Sequence, residues 1–339
     1  MVSPPGKPSW YYYGDTTLRA KADAYIADHA DRRQVVLFGA KDGALHAVRT
    51  VPTSISTTPS GQEAWAFIPA HVALHLRGDQ TASTTAGETT VSSYPDGSPT
   101  IADVVFSDGE IHTVAVFSSG NGGKAVVALD VTETISETDD SILGPTPLWQ
   151  VTPGEAEAGQ ASTKPVIGRV KIAGVDKFIA VLATGVDFLD PTNGRHVVGV
   201  DLETGAVLWQ FRTSCAVTSD LVLFETDDAA EPGTPTIDGY ADRVVFADAC
   251  GYLYKVDPGK DLGGGWNGNS TLGSLLTDTM SDGTEMYALF SSQYTAGALG
   301  SASPIGGTLG ARIDATNRMT LFFGTGGIEG HDPSLPNEF

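Results

Sequence analysis

The chain has 339 residues, 41% of them hydrophobic, which excludes wholesale disorder and leaves enough apolar material for a sizeable core. Forty-one acidic residues face twenty basic ones, and the net charge of −21 repels phosphate backbones, which excludes nucleic acid as a partner. No apolar run approaches the ~18 residues that span a bilayer, so no direct membrane insertion is expected.

Met1-Val2-Ser3-Pro4-Pro5 lacks the basic start and apolar stretch of a signal peptide, which fits a cytosolic chain or a processed piece of an exported one. Residues 1–34 form a lead-in segment. Leu18, Ala22, Tyr25 and Ile26 recur at helical spacing and predict a short helix over Thr17 to Asp31 that packs on the strand-rich remainder of the chain. From residue 35 to 339 the signal changes to short strands. Val35-Val36-Leu37-Phe38, Val114-Ala115-Val116-Phe117, Phe178-Ile179-Ala180-Val181-Leu182, Val244-Val245-Phe246 and Thr320-Leu321-Phe322-Phe323 are the clearest. Between them recur Asp42-Gly43, Asp96-Gly97, Asp108-Gly109, Asn121-Gly122, Asn193-Gly194 and Asp238-Gly239, pairs that tolerate the positive φ of tight hairpins. A second helical stretch, Pro69 to Arg77, ends at Arg77-Gly78-Asp79, and a polar Thr/Ser-rich loop runs from Thr81 to Ser93.

A repeat underlies the pattern: a strand, a glycine-containing turn, a second strand and then a tryptophan. The fullest copy runs from Gly199 to Gln210 with Trp209. Others end at Trp65 and Trp149, and a partial one covers Gly251 to Asp257. About five units fall near 35–69, 98–151, 162–211, 217–258 and 285–325, each unable to bury both faces alone. The fold class expected is therefore an all-β propeller, with the tryptophans packed between neighbouring blades.

Several stretches are more specific than a generic blade. Phe38 to Val48 is similar to the "GANDGMLHAF" opening of the PilY family, large proteins at the tip of bacterial type IV pili. Gly61 to Pro69 resembles that family's "WAFIP" segment, Asp96 to Val104 its "DGSPTVGDV", Ala128 to Thr132 its "ALDVT" and Phe323 to Gly326 its "FGTG". The five occur in the family's order along nearly the whole chain. The resemblance implies a modified, PQQ-enzyme-like propeller of roughly seven blades. This chain is then an incomplete ring, the carboxy-terminal part of a secreted, non-enzymatic factor in pilus assembly, twitching motility and surface adhesion. Its place would be extracellular, at the pilus tip or outer membrane, and its partners minor pilins and host or abiotic surfaces. The longest inserted loops, 78–98, 132–147 and 257–277, would make the contacts.

The resemblance also implies sites. The family's calcium loop has the form DxDxNNDGxxD; here Asp238 and Asp242 keep its distal half, while Pro232, Thr234 and Thr236 stand at the first three ligands. Asp227, Asp228 and Glu231 lie close enough in sequence to be recruited, since Ca²⁺ takes roughly six to eight oxygens; the alternative is a plain acidic hairpin turn. Arg77-Gly78-Asp79 spells an integrin-recognition tripeptide, or is a solvated turn. Cys215 and Cys250 either bridge or sit buried as small apolar residues, and an extracellular setting favours the bridge.

The enzyme and chaperone alternatives share only the blade motif. Asp-x-x-Thr-Gly-x-x-x-Trp at Asp201 to Trp209 recurs in quinoprotein dehydrogenases, where it docks blades and does no chemistry. His71 and His75 lack the glutamate of a zinc-peptidase helix, and Gly120 to Lys124 reads as a hairpin turn, not a phosphate loop.

Overall fold

The computed structural model describes residues 1–50, 60–75, 94–154, 158–160, 163–172, 174–187, 190, 193–225, 238–256, 305–313 and 319–324, with short strands between 277 and 299. Alternating apolar residues bounded by turns give antiparallel meanders. The first sheet is β1 (Val35–Gly39), β2 (Leu45–Arg49) and β3 (Glu63–Phe67), extended at its open edge by a bridge from Val2 to Val35. The second has the order β4 (Thr100–Val105), β5 (Ile111–Ser118), β6 (Val126–Asp130) and β7 (Thr146–Val151). The third repeats it with β8 (Val166–Ile172), β9 (Val175–Ala183), β10 (His196–Asp201) and β11 (Val207–Arg212).

The fourth sheet holds β12 (Val222–Phe224), β13 (Arg243–Ala247) and β14 (Tyr252–Val256). Its last strand arrives only after an excursion that contains the hairpin β15 (Thr277–Thr279) and β16 (Glu285–Tyr287). It is β17 (Phe290–Ser291), which the repeat count assigns to a fifth unit and which pairs instead with β14. Beyond it lie two small hairpins, β18 (Tyr294–Thr295) with β19 (Ala298–Leu299) and β20 (Gly310–Ile313) with β21 (Met319–Phe322).

The four sheets so far described are propeller blades, each burying apolar faces against the next. Leu37, Leu45 and Trp65 of the first pack against Ala115, Phe117 and Leu129 of the second. Val114 and Val126 meet Phe178, Ala180 and Val198 of the third, and Phe211 of the third meets Phe246 and Tyr254 of the fourth. In that last core the Phe211 ring lies edge-on to both partners at 5.8 Å, aromatic contacts of about 0.5–1.5 kcal/mol apiece beyond their area burial. The first strand β8 adjoins both β4 and β12, so these three blades meet along their inner edges.

The tryptophan step is built the same way three times. Trp65 pairs with Ala47, Trp149 with Ala128 and Trp209 with Gly199, and each small residue is followed at once by a shift of register. At the third copy the Trp209 ring lies so close to Gly199 that a Cβ there would fall 2.2 Å from the indole, and the bulge re-aims the strand after the contact. Trp149 also reaches into the next blade: its indole N–H donates to the Leu202 carbonyl at 2.7 Å. There Gly205, at φ 73°, lets the turn approach so closely that a Cβ would lie 2.7 Å from the indole.

The lead-in segment is stitched to several blades. Its helix, α1 (Thr16–Asp28), is capped by the Asp15 carboxylate, which accepts from the Leu18 N–H at 2.7 Å. The helix stops three residues earlier than predicted; it buries Ala22 and lays Leu18 and Tyr25 against the same core, and polar contacts add to that packing. Lys21 donates to the Gly109 carbonyl at 2.6 Å, and Arg32 donates to Thr113 at 2.9 Å and to the Tyr25 hydroxyl at 2.7 Å. Before the helix, Trp10 inserts between the second and third blades. It is 4% exposed, its N–H donates to the Asp103 carbonyl at 2.8 Å, and its ring meets Phe178 edge-on at 6.2 Å.

Candidate functional site

The turn at Asp238-Gly239 and the lead-in segment meet beside the first strands of the blades. Glu225 follows β12, and its carboxylate accepts the backbone N–H groups of both Asp238 and Gly239, which ties the far end of the loop back to its start. Gly239 takes φ 84°, and a Cβ there would fall 2.6 Å from the Tyr13 side chain. The Asp238 carboxylate accepts the Tyr240 N–H at 3.0 Å, an Asx turn. The Ala241 N–H then donates to the Arg169 carbonyl at 2.7 Å and that of Asp242 to the Phe224 carbonyl at 3.0 Å.

Tyr240 is clamped on the third blade. Its hydroxyl donates to Asp176 at 2.7 Å, and its ring covers the guanidinium of Arg169 at 4.4 Å and the ammonium of Lys171 at 4.6 Å. Burial, reinforced by the bond to Asp176, pushes the phenol up to about 12. Burial works against ionisation of Asp176, but Tyr240 and Arg169 outweigh it and hold that carboxyl below its ordinary value. Glu225 is pushed upward, first by burial and then by the charges of Asp238 and Asp242, against the pull of its two N–H donors.

Around this turn lies a cavity of about 530 Å³. Trp10, Phe178 and Tyr240 supply rings, Ile101, Ile167 and Leu223 line it at equivalent places on three inner strands, and Lys7, Arg169 and Glu225 supply charge. Glu225 and Trp10 escape sequence reasoning: the first is an isolated acid before the loop, the second lies in a segment with no strand or helix period.

Of the predicted calcium ligands, Asp238 and Asp242 are thus placed on one ordered turn, while Asp227 and Asp228 lie outside the described residues, as does Arg77-Gly78-Asp79. Among the described residues, no group of three or more His, Cys, Asp or Glu side chains is disposed to hold a metal ion. Cys215 and Cys250 are joined as a disulfide with their Cα atoms 5.7 Å apart, linking the connection between blades three and four to a turn of blade four. His71 packs against the second blade, its Nε2 2.7 Å from the Ser119 hydroxyl and its Nδ1 3.1 Å from Gln150. Lys124 forms an ion pair with Asp187 at 2.7 Å.

Two further histidines sit between paired carboxylates. His46 contacts Glu63 at 2.5 Å and Asp42 at 3.0 Å and stacks on Phe38; His112 contacts Asp130 at 2.7 Å and Asp108 at 3.4 Å and stacks on Phe106. The bonds to Glu63 and to Asp130 are the main reasons both imidazoles are raised. A base raised on folding contributes stability that is complete below its unfolded value and is lost as pH rises through the folded one. His112→Gln is therefore expected to cost more at pH near 6 than at pH above 8, by at most about 1 kcal/mol given the partial exposure of the pair. Urea melts at the two pH values check it; an equal cost at both would contradict the ion pair.

No protein-family profile matches the chain. Among curated proteins it is similar to "Type IV pilus biogenesis factor PilY1" of Pseudomonas aeruginosa, 29% identical over 228 residues, covering 66% of this chain and 17% of that protein. It is also similar to a PilY1 homolog of Xylella fastidiosa, 28% identical over 313 residues, covering 91% of this chain and 21% of the relative. The crystal structure of the P. aeruginosa PilY1 C-terminal domain superposes with a TM-score of 0.61 at 22% identity, over 95% of this chain and 59% of that one, a likeness of fold. The resemblance to the PilY family carried by the five motifs is borne out, and so is the propeller. The chain spans about a fifth of the length of those curated relatives. Among the described residues, no helix is long and apolar enough to cross a membrane.

Proposed function

We propose that this chain is a propeller module of a type IV pilus factor that acts by binding, not catalysis, in pilus assembly and surface attachment. The observation that carries the reading is the similarity, over most of the chain, to proteins named as type IV pilus biogenesis factors. The blades form a rigid frame, and their inserted loops contact minor pilins and external surfaces at the pilus tip, outside the cell. An in-frame deletion of residues 35–324 in the native host is expected to abolish surface pili and twitching zones; both at parental level would overturn the reading.

Calcium belongs to the same proposal. Asp238 and Asp242, joined by Asp227 and Asp228, take Ca²⁺ at the inner-edge turn, where Glu225 already gathers the backbone. Calorimetric titration of the purified chain with CaCl₂ is expected to release heat and raise the melting temperature, both lost in Asp238→Asn/Asp242→Asn. No heat and no shift in the parent would remove calcium from the account. Adhesion through Arg77-Gly78-Asp79 predicts that Asp79→Glu beads coat integrin-bearing cells less than parental beads.

A further inference from the structure

The turn after β13 carries a carboxylate that no part of the binding account uses. Asp248 has no exposed surface, and four donors converge on it. On one oxygen it accepts the N–H groups of Cys250 at 3.1 Å and Tyr252 at 2.9 Å, and on the other the N–H of Cys215 at 3.1 Å and the hydroxyl of Tyr254 at 2.8 Å. Both half-cystines, 35 residues apart in sequence, thus hang by their backbones from one side chain. The surrounding bonds repeat the theme: the Ser214 N–H donates to the Tyr254 oxygen at 3.1 Å, that of Ala249 to the Ala216 carbonyl at 2.9 Å, and that of Ala247 to the Ser219 hydroxyl at 2.7 Å. None of these contacts involves sulfur, so none of them depends chemically on the S–S bond.

We propose that Asp248 is a positioning residue for oxidative closure: its buried carboxylate preorganises a Cys215/Cys250 dithiol that a disulfide oxidant converts into a latch between the third and fourth blades. A buried ion costs free energy unless several donors meet it, and here the donors are the backbone groups that must be held for the sulfurs to face each other. Cys215 is 7% exposed, and Cys250 is the more accessible of the two. The Cys250 thiolate attacks a sulfur of the oxidant's disulfide and expels one thiolate. The Cys215 thiolate then attacks the Cys250 sulfur of the mixed disulfide and expels the second. Two electrons pass to the oxidant, two protons to solvent, and one S–S bond is exchanged for another. The latch is open wherever thiols are kept reduced and closes where disulfides are available, whichever surface the blades later bind.

The test is the effective concentration of the two thiols, measured on the full chain equilibrated in reduced and oxidised glutathione, with the oxidised fraction read by maleimide mass tagging. It is expected to be far higher in native buffer than in concentrated guanidinium chloride. Asp248→Asn, which turns an acceptor of N–H groups into a partial donor, is expected to lower the native value by about tenfold and leave the denatured value unchanged. A merely structural aspartate would destabilise the Cys215→Ser/Cys250→Ser chain as much as the parent and would not move the native-to-denatured ratio. A folded Asp248→Asn chain with the parental ratio overturns the proposal. Should Asp248→Asn not fold, Tyr254→Phe, which removes one donor and keeps the ring, is expected to lower the ratio about threefold; an unchanged ratio there overturns it equally.

Discussion

Replacing Trp209 by alanine is expected to lower the unfolding free energy by about 3–5 kcal/mol, because the ring is 4% exposed and fills the core between the third and fourth blades. The companion substitution makes the result diagnostic. Gly→Ala inside a strand ordinarily stabilises by roughly 0.5–1 kcal/mol, since the unfolded chain loses freedom. At Gly199 the sign reverses: a Cβ would collide with the Trp209 indole, so Gly199→Ala is expected to destabilise by about 1–3 kcal/mol. In the Trp209→Ala background the collision is gone and Gly199→Ala is expected to be neutral or stabilising, a coupling that urea unfolding of the four chains measures directly. Additive costs would mean that the ring does not lie across the glycine.

Trp10→Ala is the second large effect, again about 3–5 kcal/mol, and it falls on a residue outside every repeat. The ring wedges the second blade against the third, and the N–H satisfies the Asp103 carbonyl at the open edge of β4. Trp10→Phe separates the parts: it keeps apolar volume and loses the hydrogen bond, for about 1–2 kcal/mol. Amide exchange should report the difference locally, with protection falling first along β4 and β8 and last in the core of the fourth blade. Uniform loss of protection would show that the lead-in segment does not clamp those edges in particular.

Much of the frame is legible in the sequence because two local rules suffice. Short apolar strands such as Val114 to Phe117, set between glycine-containing turns, specify antiparallel meanders, and a tryptophan on the last strand marks each of the first three blades. What stays hidden depends on pairing at a distance. Nothing near Phe290 says that it completes a sheet begun at Val222, since the partner strand ends at Val256, before the excursion that carries β15 and β16. The small residue facing each tryptophan is visible only once the register is known. At the candidate site Asp238-Gly239 announces a turn, yet its anchor, Glu225, and its cover, Tyr13, come from segments with no motif at all. Asp248 shows the same limit. As letters, Asp248-Ala249-Cys250-Gly251 is a turn with a cysteine; the fold makes it the point from which both cysteines hang.

The central claim, a blade-built binding module working at the pilus tip, is tested most directly by finding where the protein sits. Immunogold labelling of the native host with antibody raised against residues 94–256 is predicted to place label at the free ends of pili, and sheared pilus fractions are predicted to contain the chain. Label confined to the cell body beside bare pili, or the same amount of chain in the sheared fraction of a pilus-less strain, would contradict it.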